Sequence, residues 1–347
     1  MQAIRVHPAQ PPSPPYTPSN PAPSTALHVD NIPIPTPSQP GDLLIRIKAS
    51  TIIRDMLTWP ETYAHPYLIP GNDLSGTVVS VFPGDEGKSP FKPGDEVFGM
   101  LDANRPSAWA EYAVVREDEV ARKPGSVDWD AAAALPLSGM TAFEALFEHG
   151  GLEVPNPAAG STDEARAKNQ GKQVLITGAA GGVGMYLVQL AAIAGARVVA
   201  ASSSNVRNAG FLRELGADEV VEYAALEDEG EGVGDRFDLI VDTVGGEALA
   251  RCWGCVREGG LLISVDTGSF SFVEEHREKG IARDEKVRGM FFIVRGSRRA
   301  LEALGSLVDA GLLRSFVAGK YPIAEVREAY DYANGRFAGR GKIVLTL

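Results

Sequence analysis

The chain has 347 residues, 44% of them hydrophobic and 22% charged, with a formal net charge of −12 from 45 acidic and 33 basic side chains. That length predicts two packed domains and the composition a soluble globular protein, while the sign of the charge opposes phosphate backbones and anionic membrane surfaces as main partners. No apolar run reaches the roughly 18 residues needed to cross a bilayer, and Met1 to Val6 reads as a strand rather than a secretory leader, so the expectation is a cytoplasmic protein with no nucleic-acid and no membrane partner.

Up to about residue 126 the chain shows short β-type runs broken by Gly and Pro, such as Asp42–Lys48, Gly76–Val81 and Trp109–Val115. They predict a compact, mostly antiparallel β domain. Twelve of the 24 prolines fall between Pro8 and Pro40, and a stretch so rich in proline predicts an extended surface loop, with a proline-rich recognition ligand as the alternative. From residue 138 strands and helices alternate: strand Gln173–Thr177, helix Val183–Ala194 closed by Gly195, strand Arg197–Ala201, helix Asn205–Leu215 before Gly216, and strand Phe237–Val241. A helix over 246–256, strand Leu261–Val265 and strand Met290–Val294 follow. Strands that are apolar throughout and separated by helices predict a parallel sheet covered on both faces. The acidic run 227–235 reads as a solvated loop and 156–171 as an insertion. Helices Ser297–Ala310 and Ala324–Asn334 precede a last strand, Lys342–Thr346, that is expected to return to the first domain. The fold class is therefore α/β: a doubly wound parallel sheet of the Rossmann type plus a discontinuous β-rich domain. The boundaries read as a substrate domain 1–137 with its proline-rich loop 8–40, a nucleotide-binding domain 138–296, and a returning segment 297–347.

The sharpest chemical signal is Thr177-Gly-Ala-Ala-Gly-Gly-Val-Gly184, placed between a predicted strand and a predicted helix. A dinucleotide diphosphate needs a tight turn, a backbone it can approach closely and the positive end of a helix. Gly181 and Gly184 match the second and third glycines of that fingerprint, Ala179 replaces the first, and Ala180, Gly181, Gly182 and Val183 are the candidate phosphate contacts. After the second strand an NAD enzyme usually carries Asp or Glu to hold the ribose hydroxyls, whereas this chain reads Ala201-Ser-Ser-Ser-Asn-Val-Arg207. Hydroxyls and a guanidinium suit a 2′-phosphate, so NADPH is the expected cofactor, with Ser203 and Arg207 as its contacts. For Ser204 plain helix capping is the competing reading, and for Arg207 an ordinary exposed helix position. An S-adenosylmethionine methyltransferase is a rival for any such sheet; the β-rich segment ahead of it and the missing acid argue against that. The only cysteines, Cys252 and Cys255, are spaced C-x-x-C. Structural zinc would need two more soft ligands nearby and a redox pair its own βαβ setting, so buried thiols are expected.

Further motifs run the length of the chain: Pro70–Val78, Phe91–Gly99, Ala132–Phe143, the glycine turn, Leu215–Tyr223, Asp242–Gly246 and Gly341–Leu345. In this order they resemble the medium-chain dehydrogenase/reductases, specifically the zinc-independent quinone oxidoreductase and enoyl reductase branch. The resemblance implies a GroES-like substrate domain and a cleft between domains where nicotinamide meets substrate. It implies that Thr141 lies near the nicotinamide and that Tyr223 joins Ser203 and Arg207 around the 2′-phosphate. It also implies that Asp242 and Val244, with Phe292 and Val294, flank the nicotinamide and its ribose, and that Arg336 or Arg340 reaches the cofactor. Core packing of a strand is the competing reading for Phe292 and Val294, and a plain strand-end aromatic for Tyr223. Zinc-dependent members carry a catalytic Cys, Gly-His-Glu and a four-cysteine lobe. Here Asn72-Asp73 stands where His-Glu would be, no Cys precedes residue 252, and His7, His28, His65, His149 and His276 do not cluster.

Without a Lewis acid, reduction of an already polarised acceptor is the expected chemistry: hydride transfer from NADPH to a quinone, enone or enoyl substrate. Ile52-Ile-Arg-Asp55 replaces the Asn-Pro common in the family, which puts that polar contact in doubt. Tyr63 and Asp55 are the candidate catalytic residues, Tyr63 as proton donor or an amphipathic wall residue, Asp55 as substrate contact or loop organiser. The aromatic run 290–294, as a sheet edge, predicts a homodimer. Two other readings stay open: a trans-acting biosynthetic enoyl reductase with a partner enzyme, and a non-catalytic NADPH-binding sensor or scaffold.

Overall fold

The computed structural model describes residues 1–347 except 85–86, 158–159, 227–235, 284–285 and 336. The acidic run 227–235 and Arg336 therefore lie outside the described residues. The chain divides into two compact units, one made of Met1–Met140 with Arg295–Leu347, the other of Thr141–Val294.

The first unit opens with strands β1 (Gln2–Val6) and β2 (Leu27–Asn31), an antiparallel ribbon with Gln2 opposite Asn31 and Val6 opposite Leu27. The proline-rich stretch is thus not loop throughout. Leu27–Asn31 contains no proline, so its amides are free to pair, while Ala22, Ala26 and Leu27 are buried and anchor the segment. Strands β3 (Asp42–Ile52), β4 (Asp73–Val81), β5 (Glu96–Met100), β6 (Tyr112–Arg116) and β7 (Val120–Arg122) follow. β3 is the spine: it pairs antiparallel with β4 and β6, and β5 and β7 extend the sheet beyond β4. Leu43, Ile45 and Ile47, alternate residues of β3, pack against Leu74, Val78, Val97 and Val115. Trp109 is fully buried, with its indole N–H donated to the Thr51 carbonyl at 2.9 Å. Helices α1 (Trp129–Ala133) and α2 (Pro136–Phe143) end this run, and the boundary between the units falls within α2.

The second unit holds α3 (Thr162–Asn169), β8 (Gln173–Ile176), α4 (Gly184–Ile193), β9 (Arg197–Ser202), α5 (Asn205–Glu214), β10 (Glu219–Glu222) and β11 (Phe237–Asp242). After these come α6 (Gly246–Cys252), β12 (Val256–Ser264), α7 (Phe272–Glu278) and β13 (Arg288–Phe291). The strands form one parallel sheet in the order β10-β9-β8-β11-β12-β13. The central strands are apolar on both faces, as in Val174–Ile176, Val198–Ala201 and Leu239–Val241, because helices cover both. The order reverses between β8 and β11, the switch point at which such sheets open a crevice at their carboxyl ends. Within this unit three boundaries differ from expectation by three residues or more. The helix after Gly246 stops at Cys252, the next strand starts at Val256, and the edge strand ends at Phe291, leaving Phe292 and Val294 beyond it. Within 156–171 lies α3, whose Asn169 accepts from the Glu153 amide at 2.9 Å and donates to the Ala194 carbonyl at 2.9 Å.

The chain re-enters the first unit with α8 (Arg298–Asp309), capped by the Ser297 hydroxyl, then β14 (Val317–Pro322), α9 (Val326–Asn334) and β15 (Lys342–Thr346). β14, with Gly319, Lys320 and Pro322 in it, carries no strand signal in the sequence; it pairs in parallel with β15 at the sheet edge. β15 pairs antiparallel with β3, Ile343 opposite Ile52 and Thr346 opposite Ala49. This return is locked by a buried charge pair, the Lys342 ammonium 3.3 Å from the Asp73 carboxylate, both almost without solvent. Thr51 and the Leu137 amide each donate to the same carboxylate at 2.6 Å. Asp73→Ala strands the ammonium in the interior and should cost about 3–5 kcal/mol in urea unfolding, whereas Asp73→Leu together with Lys342→Met should recover much of that loss. Equal losses in the single and double variants would contradict the charge account.

Candidate functional site

The turn 177–183 links β8 to α4 at the carboxyl edge of the parallel sheet. Gly178 has φ +58°, and a side chain there would meet the Thr243 hydroxyl. Gly184 lets the first turn of α4 lie on the loop, since a Cβ would come within 2.2 Å of the Gly178 carbonyl oxygen. The tight-turn role assigned to a first glycine therefore belongs to Gly178; Ala179 is buried, its amide donated to Ala201 at 3.2 Å. The Gly181 amide is committed to the Gly178 carbonyl at 2.8 Å. Among the described residues, the amides of Ala180, Gly182 and Val183 carry no hydrogen bond, and Val183 caps α4 without side-chain help. Gly181 and Gly182 are exposed. An exposed bend with unspent N–H groups at the head of a helix fits a diphosphate.

Asp242 ends β11 with no solvent exposure and holds the turn from beneath. It accepts from the Thr177 hydroxyl at 2.5 Å, the Ser264 hydroxyl at 2.9 Å and the Gly245 amide at 2.9 Å. Burial pushes its carboxyl above the ordinary carboxylate value, opposed by these bonds. The Thr177 hydroxyl in turn accepts from the Thr243 amide at 3.1 Å. Asp242 thus shapes the loop 243–246, whereas Val244 is exposed on it.

At the ends of β9 and β10 lie the other expected cofactor residues. Ser203 follows β9 and Arg207 sits in the first turn of α5, both exposed. Tyr223, half-buried just after β10, accepts the Gly178 amide on its hydroxyl at 3.1 Å and so fastens the glycine turn. Burial raises its phenol above the ordinary value. Ser204 occupies the capping position of α5 but makes no side-chain cap bond. That place is taken by Glu222, whose carboxylate accepts from the Asn205 amide at 2.7 Å. Reading the sequence missed this acid because it arrives from β10, where Glu222 lies opposite Ser202 in the register.

The remaining expected residues lie on several elements of the two units. Thr141 is buried in α2, and Phe292 and Val294 are half-buried after β13, the Phe292 ring 4.8 Å from that of His149. Arg340 is half-buried ahead of β15. Asp55 is exposed with φ +57°, its amide donated to the Asn334 carboxamide at 2.7 Å, and Arg54 reaches the Asn334 carbonyl at 2.8 Å. The Tyr63 hydroxyl, expected either to donate a proton or to face solvent from the wall, donates to the Leu57 carbonyl and accepts from the Ala22 amide at 2.8 Å. Its hydroxyl instead ties the proline-rich segment to the wall formed by 55–63.

A zinc site does not fit these donors. Among the described residues no three His, Cys, Asp or Glu side chains gather to hold a metal ion. Asn72 donates to the Leu101 carbonyl at 3.2 Å, and the Asp73 carboxylate is neutralised by Lys342. Cys252 and Cys255 are buried in the core of the second unit, where burial pushes the Cys252 thiol well up and that of Cys255 to about 11.

Residues 39–125 match the family model of the alcohol dehydrogenase GroES-like domain, and residues 215–345 that of the zinc-binding dehydrogenases. A probable zinc-binding oxidoreductase, mitochondrial, of Arthroderma benhamiae is 34% identical over 329 residues, 93% of this chain and 94% of its own length. A chloroplastic quinone oxidoreductase of Triphysaria versicolor is 29% identical over 92% of this chain and 93% of its own. The solved quinone oxidoreductase of Coxiella burnetii superposes with a TM-score of 0.79 at 24% identity, covering 100% of this chain and 99% of that one, and shares the fold. The first two of these proteins are organellar by name; in this chain, among the described residues, no helix is long and apolar enough to cross a membrane. The nucleotide-type crevice, the GroES-like unit and these relatives agree: the chain belongs to the medium-chain dehydrogenase/reductase superfamily, in its quinone oxidoreductase branch.

Proposed function

We propose that this oxidoreductase draws on NADPH and reduces a quinone or an α,β-unsaturated carbonyl compound without a metal. The observation that carries the reading is the exposed turn 180–183 at the head of α4, with Ser203 and Arg207 after the next strand and no acid on that loop. Unspent amides suit the diphosphate, and a hydroxyl with a guanidinium suits a 2′-phosphate. Tyr223 and Asp242 act by holding the turn, and Val244 offers an exposed apolar contact on the loop above Asp242. Thr141, Phe292, Val294 and Arg340 complete the set assigned to the cofactor. Hydride donation is what the nicotinamide supplies when bound. The acceptor is already polarised, so the protein's work is to orient it and keep water out. With Tyr63 committed to Leu57, the proton comes from solvent, and Asp55 is the side chain assigned to the substrate. The named quinone oxidoreductases among the relatives support the acceptor class.

β13 is one of the two edge strands of its sheet among the described residues, and Ile293 just beyond it is 58% exposed, which supports a homodimer formed by pairing two such edges. Light scattering at micromolar concentration should give twice the chain mass; a monomer defeats the assignment. Calorimetry should show NADPH bound more tightly than NADH, and Arg207→Ala should weaken NADPH about tenfold or more while sparing NADH. Turnover of a quinone and enone panel should accompany binding, and tight binding without turnover would point to a sensor. For Asp242 the sign is set by its raised pKa. The folded state holds this proton more firmly than the unfolded chain, so its stabilising contribution is full below the ordinary carboxylate value, declines as pH rises to the raised one, and is level above. The stability of wild type minus that of Asp242→Asn should therefore shrink with pH across the acid range; a pH-independent difference argues for an ordinary carboxylate.

A further inference from the structure

We propose that Glu222 sets the cofactor preference by supplying, from β10, the negative charge that the loop after β9 lacks. The inference rests on the NADPH reading above and restricts it: the protein accepts both nicotinamide dinucleotides, with its preference for the phosphorylated one held down by this carboxylate.

Three observations converge on the head of α5. Glu222 closes β10 in register with Ser202, the residue just before Ser203, so the acid stands beside the loop that separates the two cofactors. Its carboxylate takes the Asn205 amide at 2.7 Å, so that donor at the head of α5 is already spent. The Asn205 carboxamide donates to the Val220 carbonyl at 3.3 Å, and its oxygen is buried with no hydrogen-bond partner. The same few residues thus carry two opposed sets of groups. Glu222 is an exposed acceptor and suits ribose hydroxyls, which donate; Ser203 and Arg207 suit a phosphate, which accepts. Val206, between them in sequence and 98% exposed, adds an apolar surface that discriminates neither cofactor.

A carboxylate beside this loop repels a phosphate dianion bound to it, and the repulsion is felt by NADPH and not by NADH. The purely structural alternative is that Glu222 only caps α5 from outside. Glu222→Gln separates the two, because the carboxamide oxygen still accepts from Asn205 while the charge is gone. Titration calorimetry of wild type and Glu222→Gln with NADPH and with NADH, at low and at high salt, reads the difference. The variant should bind NADPH about tenfold more tightly at low salt, with NADH unchanged or weaker, and the gain should shrink as salt screens the charge. An unchanged ratio of the two dissociation constants, or equal shifts in both, overturns the assignment. Wild type that binds neither dinucleotide would instead overturn the NADPH reading itself.

Discussion

A buried carboxylate joins the ends of three neighbouring strands. Asp242, on β11, takes the hydroxyl of Thr177 after β8 and that of Ser264 at the end of β12, as well as the Gly245 amide. Taking a carboxylate out of water is costly unless every lone pair finds a donor, and here donors arrive from three directions. The result is a rigid rim at the point where the strand order reverses. The glycine turn and the loop 243–246 are both built on that rim, and Tyr223 grips the turn from the other side.

The first unit uses charge differently. Its final strand crosses back to pair with β3, and the contact is sealed by Lys342 against Asp73 rather than by apolar packing alone. Asp73 also receives the Leu137 amide at the start of α2, so one acid binds the returning strand, the spine of the sheet and the helix that leads into the second unit. The acid is thereby claimed by an ammonium and is not offered to a metal ion.

The strands and helices of the second unit were legible because burial on both faces writes long apolar runs between glycine-ended helices. Helix ends near Cys252 and the start of β12 were harder, since Arg257, Glu258 and Gly259 interrupt the apolar run. β14 was invisible, its residues half exposed and its pairing supplied by β15. The ribbon strand β2 was masked by prolines on both sides, although none falls within it.

The glycine turn, its position between strand and helix, the absent acid after β9 and the course of the parallel sheet followed from the order of residues, because each depends on neighbours within a few positions. Folding decided the rest: that Gly178 makes the turn, that Tyr63 hydrogen bonds Leu57 and Ala22, that Lys342 finds Asp73, and that Glu222 reaches Asn205. Those are contacts between groups whose separation along the chain carries no fixed distance. A charge's effect depends on what it faces, and what it faces is set only when the strands take their register.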